Sequence, residues 1–356
     1  PYGGTGQPAY PWRGRITCDP APGRPGTVDK TAGAAAQVAA FMAGGYREMV
    51  LHYAGLAEAA GGVDALLIGS ELVGLTTVRD GALSFPFVDA LRDLAGEVRA
   101  VVGPGTRLSD AADWSEYSGY RPADGSGDRL FHLDPLWADP NIDAVGIDNY
   151  MPLSDWRDED GPDAQAAQSP YDLDYLGANI AGGEGFDWYY ASDADRQAGV
   201  RTPITDGGYG EPWVYRFKDI LSWWSQPHHN RIGGVRDPNP TAWVAGSKPI
   251  WMTEIGCGAV DKGANAPNAF GDPKSAEDKR PYFSTGAPDA LMQRQTLRAI
   301  HRHWQGGGPA NPEGMVDPDR LYVWCWDARP FPAFPGRDDV WADAANYETG
   351  HWLNGR

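Results

Sequence analysis

Two glutamates stand directly behind short apolar runs. Glu71 follows Val63–Gly69 and Ser70, and Glu254 follows Lys248–Thr253. A carboxylate at the end of a buried strand is partly desolvated, so its proton affinity is tunable, as a general acid requires. Two such groups facing each other are the minimum equipment for glycoside hydrolysis. One protonates the leaving oxygen, and the other attacks the sugar carbon or activates water. Other apolar runs also end in polar groups. Asp110 and Asp113 follow Thr106–Ser109, with Trp114 beside them. Asp148, Asn149 and Tyr150 follow Ile142–Ile147, and Asp327 follows Leu321–Trp326, which carries Trp324 and Trp326. A single Asp in such a place is more often a helix N-cap than a functional group. Glu is a poor N-cap, which favours chemistry at Glu71 and Glu254. The catalytic candidates are therefore Glu71 and Glu254. Ser70, Asp110, Asp113, Trp114, Asp148, Asn149, Tyr150, Trp324, Trp326 and Asp327 are the substrate-binding candidates.

Weaker signals point to no cofactor and no metal. His228 and His229 are adjacent, so they point in different directions, and no carboxylate spacing supports a metal site. Cys257 lies three residues after Glu254 without a nearby His to activate it, and reads as an inert buried thiol. Asp206–Gly210 is Gly-rich but precedes no P-loop Lys, so it reads as a surface turn.

The elements that must position these groups alternate between helix and strand. A helix is expected from Ala35 to Ala59, with Val38, Phe41, Met42, Met49, Val50, Tyr53 and Leu56 at helical spacing. A second starts with Ser84 as N-cap and Pro86 in its first turn, carries Phe87, Val88, Leu91, Leu94, Val98 and Val101, and stops at Gly103. Shorter helices are expected at Leu133–Trp137, Leu173–Ala181 and Trp213–Trp224, and a long amphipathic one at Asp289–Gln305. Five strands with barrel-type rhythm end near residues 69, 109, 147, 253 and 326. A short extended piece at Arg15–Cys18 is the one other strand candidate. Short apolar strands alternating with helices imply parallel βαβ units, hence an α/β fold with a TIM-type (β/α) barrel. In such barrels the C-terminal strand ends converge on the face that does the chemistry. The expected divisions are a loop region at 1–34, barrel elements at 35–330 with a long insertion at about 151–246, and a C-terminal tail at 331–356 packed on the barrel.

Bulk properties narrow the partners. The net charge of −18 would repel a phosphate backbone, so nucleic acid is not expected. No apolar run is long enough to span a bilayer, so membrane insertion is not expected. Three cysteines, an odd number without a CxxC, suggest neither a disulfide framework nor a zinc ribbon. The 15 tryptophans suit flat sugar platforms as well as they suit a core. The chain opens at Pro1 without an initiator Met or a signal peptide, which suggests a piece of a longer polypeptide.

A resemblance adds to this. Ile68-Gly69-Ser70-Glu71 resembles the acid/base site after strand four in the clan of retaining barrel glycosidases. Trp251–Gly256 resembles the nucleophile site after strand seven, and the aromatic final strand with Trp324 and Trp326 is another shared feature. More narrowly, Gly69–Leu72 through Val145–Trp156, with Trp251–Gly256 and Trp324–Pro330, resembles the TIM-barrel-like domain of gene transfer agents. That resemblance implies a tail-tip protein of a phage-like particle, made in the cytoplasm and acting at the recipient cell envelope. Its partners would be other tail proteins and an envelope glycan, either peptidoglycan or a surface polysaccharide. It also makes the five strands numbers four to eight, with the first three βα units upstream. One departure matters. The wider clan places Asn before the acid/base, where it bonds the sugar 2-hydroxyl; here Ser70 has a shorter reach. A non-catalytic carbohydrate-binding or structural barrel is therefore the alternative.

Geometric expectations follow. In a retaining enzyme the carboxyl groups of Glu71 and Glu254 lie roughly 5–5.5 Å apart. Glu71 should carry the raised pKa, with Glu254 held ionised, Tyr150 donating to it. Trp326 and Trp114 should present ring faces to the cleft.

Overall fold

The structure is a computed structural model that describes residues 11–158, 161–271, 275–324, 333–339 and 344. The segment expected to hold a strand at Arg15–Cys18 instead makes a 3-10 turn over Arg13–Arg15 and then runs without sheet partners. Thr31 caps α1 (Ala32–Phe41) by accepting from the Gly33 amide. The helix does not continue unbroken to Ala59 as the periodicity predicts. It kinks through Met42–Tyr46, where Gly45 adopts φ 124°, and resumes as α2 (Arg47–Ala59). The Gly44-Gly45 pair explains the break, because glycine accepts positive φ without a Cβ clash.

Next come β1 (Ala65–Ser70), a one-turn α3 (Val73–Thr76) and α4 (Pro86–Val102). Helix α4 starts with Phe85 at the cap position and makes no side-chain cap bond, so Ser84 is not the cap. Phe87, Val88, Leu91, Leu94 and Val98 bury its apolar face against the sheet, and Gly103 ends it at φ 70°. β2 (Arg107–Asp113), α5 (Asp134–Trp137) and β3 (Val145–Asn149) follow. Residues 151–246 follow β3 and contribute no strand to the parallel sheet. They contain α6 (Leu173–Ala178), short helices at Pro212–Tyr215 and Ile220–Ser225, and two small antiparallel hairpins. The single helix expected over Trp213–Trp224 is thus two pieces. β4 (Ile250–Ile255), α7 (Ala290–Gln305) and β5 (Val316–Val323) complete the framework. β5 begins five residues before the predicted run. Asp317-Pro318-Asp319 hides its start from an apolar-pattern search, although an edge strand tolerates Pro.

The five strands form one parallel sheet in the order β1-β2-β3-β4-β5, with neighbours in sequence pairing in space. Sequential parallel strands with helices between them are a barrel wall, and the fold is a TIM-type barrel whose described sheet holds five of the usual eight strands. The core lies between the sheet and α4, α5 and α7, and includes Ile68, Leu108, Ile147, Ile250 and Met252. At the two edges apolar residues face outward. Leu67 on β1 is 41% exposed, Tyr322 and Val323 on β5 are 41% and 49%, and Trp324 is 60%. On α2 the expected inner residues Met49, Tyr53 and Leu56 are also exposed, while Val50 is buried. No helix among the described residues is long and apolar enough to cross a membrane.

Candidate active site

The paired registers decide which side chains meet. In a parallel sheet, residues in register share a face, and successive residues alternate between faces. Ser70 pairs with Ala111, Asp113 with Asp148, and Asp148 with Glu254. These groups therefore line one face at the C-terminal strand ends. Glu71 follows β1 with φ 52°, a left-handed conformation that residues with a Cβ seldom adopt. Its amide donates to the Ala111 carbonyl at 2.8 Å, which pins it to β2. Glu71, Asp148 and Glu254 each offer a carboxylate oxygen, and the three oxygens lie within 4.8 Å of one another.

Donors surround the trio. The Tyr150 hydroxyl donates to Glu254 Oε2 at 2.5 Å. Thr253 Oγ1 donates to Asp148 Oδ1 at 2.7 Å, and Ser70 Oγ to Asp148 Oδ2 at 3.3 Å. Glu71 Oε2 accepts from the Trp12 indole at 2.6 Å and from Arg13 Nη2 at 3.3 Å. Arg13 also bonds Ser70 Oγ at 2.8 Å and the Ser70 carbonyl at 2.9 Å. Asp113 accepts from the Ser115 amide and hydroxyl. Behind it Glu116 accepts from the Asp113 amide and from Thr76. The trio is close enough to share a cation, but each member already accepts hydrogen bonds, and we assign no metal to it.

Electrostatics separate these groups less cleanly than expected. Burial raises the pKa of Glu71, opposed by the Trp12 bond and the Arg13 charge. Burial also raises Glu254, opposed by the Tyr150 bond and again by Arg13. The highest of the three is Asp148, pushed up to about 8, first by burial and then by the charge of Glu254. Three carboxyls this close titrate as a coupled set, and they cannot all be charged at neutral pH.

Other candidates fall elsewhere. Asp110 is not brought into the cluster. It lies three residues from Asp113, on the opposite face of β2, with its carboxylate against Gly69 near the Tyr46 hydroxyl. Burial pushes it up to about 7. Asn149 is also turned away, bonding Met252 Sδ and the Met151 amide and lining a small cavity with Thr296 and Trp304. Trp114 packs edge-to-face on Phe217 at 4.9 Å. Trp324 is mostly exposed and its amide donates to the Ile255 carbonyl. Trp326 and Asp327 lie outside the described residues. His228 is enclosed by Phe131, Trp213, Trp223 and Trp243 and bonds Asp134, while His229 bonds the Asp237 carbonyl. Burial pushes the Cys257 thiol up to about 11, the opposite of an activated nucleophile.

The family model of the GTA TIM-barrel-like domain matches residues 44–335. The chain belongs to that family. No curated protein matches it. Among solved structures it is similar to a family 113 β-mannanase from Alicyclobacillus acidocaldarius in complex with ManMIm. That pair has 14% identity and a TM-score of 0.37, covering 82% of this chain and 54% of the other. A second, a family 113 β-1,4-mannanase, has 16% identity and a TM-score of 0.36, covering 78% of this chain and 51% of the other. The chain thus spans about half the length of those proteins. In this GTA TIM-barrel-like domain, Trp12 and Arg13 lie ahead of the matched region, and reading the sequence placed them in a loop. Their one signal was a Trp followed by two closely spaced arginines, Arg13 and Arg15, in a strongly acidic chain. Thr253, which holds Asp148, was also missed because it sits inside an apolar run.

Proposed function

We propose that this domain is a retaining glycoside hydrolase in a tail protein of a phage-like particle, acting on peptidoglycan or surface polysaccharide of the recipient envelope. The observation that carries this reading is the close approach of Glu71 and Glu254, with oxygens within 4.8 Å, at the C-terminal ends of parallel strands. Retaining enzymes need a short separation, since no water has to fit between the second carboxylate and the sugar. Glu254 is the nucleophile. The Tyr150 hydroxyl holds its Oε2 and leaves Oε1 to attack the anomeric carbon. As that bond forms, the bond to the leaving oxygen breaks, and Glu71 gives that oxygen its proton. Glu71, now a base, takes a proton from water, which attacks the anomeric carbon and releases Glu254. The particle and envelope setting rests on membership of the gene transfer agent family.

The test is incubation with purified sacculi and capsular glycans, wild type beside Glu254→Gln. Soluble sugar released by the wild type alone supports hydrolysis. Binding without release selects the alternative, a carbohydrate-binding or structural barrel. Ser70 favours that alternative in one respect: its hydroxyl is engaged by Asp148 and Arg13 rather than turned free.

A further inference from the structure

Both donors from the segment ahead of α1 converge on a single oxygen of Glu71. The Trp12 indole reaches Oε2 at 2.6 Å, and Arg13 Nη2 reaches the same atom at 3.3 Å. Indole and guanidinium groups only donate. Oε2 accepts from both, and because a carboxyl group accepts better through its carbonyl oxygen than through its hydroxyl, these bonds favour placing the proton of an uncharged Glu71 on Oε1.

The segment is seated from several sides. Gly14 is buried against the Trp12 ring, where a Cβ would collide with it. A Cβ on Gly74 of α3 would strike the carbonyl oxygens of Gly14 and Ile16, so the segment lies directly on that helix. Arg15 pairs with Glu277, at 2.7 Å, in the loop after β4. Arg13 itself keeps about half of its side chain exposed, whereas Glu71 is nearly enclosed.

We propose that Trp12 and Arg13 clamp Oε2 of Glu71, so that Oε1 is the oxygen that delivers and recovers the proton. They are positioning residues, acting through Glu71. The consequence for turnover rests on the hydrolase reading above; the proton's location does not.

The charges facing Glu71 set the sign of the effect. Asp113 and Glu254 raise its pKa, with Asp148 and Tyr150 coupled to it; Arg13 opposes them together with the Trp12 bond. Removing the clamp leaves burial and the neighbouring carboxylates less opposed. Glu71 then keeps its proton to higher pH.

The experiment uses the whole chain labelled with 13C at Glu side-chain carboxyls, with Glu71→Gln assigning the Glu71 signal. Trp12→Phe and Arg13→Gln should each raise the Glu71 midpoint, and the double variant should raise it by about one unit, a tenfold gain in proton affinity. Arg13→Lys should stay near the wild type. An unchanged Glu71 midpoint in a double variant that melts like the wild type would overturn the clamp. A second readout applies once turnover is measured. Loss of the clamp should slow cleavage of alkyl glycosides, which need the proton, more than that of nitrophenyl glycosides, which do not. Equal slowing of both would also overturn it. A shifted midpoint in a chain that turns over no glycan would support the clamp while removing the hydrolase reading.

Discussion

β1 and β2 are neighbours, and their burial runs against their composition. β1 reads Ala-Leu-Leu-Ile-Gly-Ser, the more apolar of the two, yet only Ile68 in it is fully buried. β2 reads Arg-Leu-Ser-Asp-Ala-Ala-Asp and is buried from Leu108 to Asp113. Position in the sheet explains this. β2 has partners on both sides, whereas β1, like β5, has one. The apolar side chains of β1 are suited to a neighbour that the described sheet lacks. Of the buried polar side chains of β2, Ser109 and Asp113 are hydrogen-bonded, and burial raises the Asp110 carboxyl to about 7, which favours its uncharged form below that pH. Edge and centre therefore divide the work. Glu71 follows the edge strand, and its partners Asp148 and Glu254 stand on central strands.

The largest test of that division is catalytic. If the two glutamates act as a pair across it, Glu254→Gln and Glu71→Gln should each lower glycan release by about 10²–10⁴-fold. Azide should rescue Glu254→Ala with a glycosyl azide of inverted configuration, and Glu71→Ala with one of retained configuration, because in the second case it attacks the glycosyl-enzyme. Rescue of Glu71→Gln with product of inverted configuration would exchange the assigned roles.

Stability comes next. Ile147 on β3 is fully buried, so Ile147→Ala should cost about 2–5 kcal/mol in urea unfolding. Leu67→Ala on the edge should cost less than about 1 kcal/mol, because that side chain is 41% exposed. Equal losses would mean that β1 is covered in solution.

A third effect is pH dependence in the centre. Asp110 is raised from 3.8 to about 7 and Asp148 from 3.8 to about 8. Folded-state pKa values above the unfolded ones favour the native state at low pH. That contribution is complete below about pH 4 and is lost as pH rises through the folded values. Asp110→Asn should flatten the fall in stability between about pH 4 and 7, and Asp148→Asn should flatten a fall that extends to about pH 8. Thermal melts across that range would show it. A wild type equally stable at pH 5 and pH 8 would contradict both shifts.

The same contrast shows what the sequence made legible. Apolar runs such as Ile142–Ile147 and Ile250–Thr253 marked their strands because burial on both faces demands such residues. The full extent of β2 was not legible, since Asp110-Ala111-Ala112-Asp113 looks like a post-strand turn. Strand alternation could still have separated Asp110 from Asp113, as residues three apart point to opposite faces. Glu71, Glu254 and Tyr150 are expected from their places after apolar runs, and they lie close together, although Glu254 is still inside β4. Trp12 and Arg13 are not expected, because a loop carries no periodicity and their contact with Glu71 spans nearly 60 residues of chain. The kink at Gly45 was visible as a glycine pair but was outweighed by the helical spacing on either side.

The smallest expected effect is at the edge itself. Leu67 on β1 and Tyr322 on β5 are both exposed, and each strand offers an unpaired parallel edge in the described sheet. Such edges template pairing with another chain, and a lysine there opposes it by charge and desolvation. Leu67→Lys with Tyr322→Lys should leave the unfolding free energy within about 0.5 kcal/mol of the wild type, since neither site is a core position. It should nevertheless reduce self-association, read as a lower average mass in light scattering at high concentration. The sign should reverse in any polypeptide that also carries three further βα units able to close the barrel. There Leu67 would be buried beneath a neighbouring strand, and an unpaired lysine would destabilise the fold by several kcal/mol. Measuring both chains side by side separates a sheet that ends at β1 from one that continues past it. Equal tolerance of the lysines in both would show that β1 is a true edge.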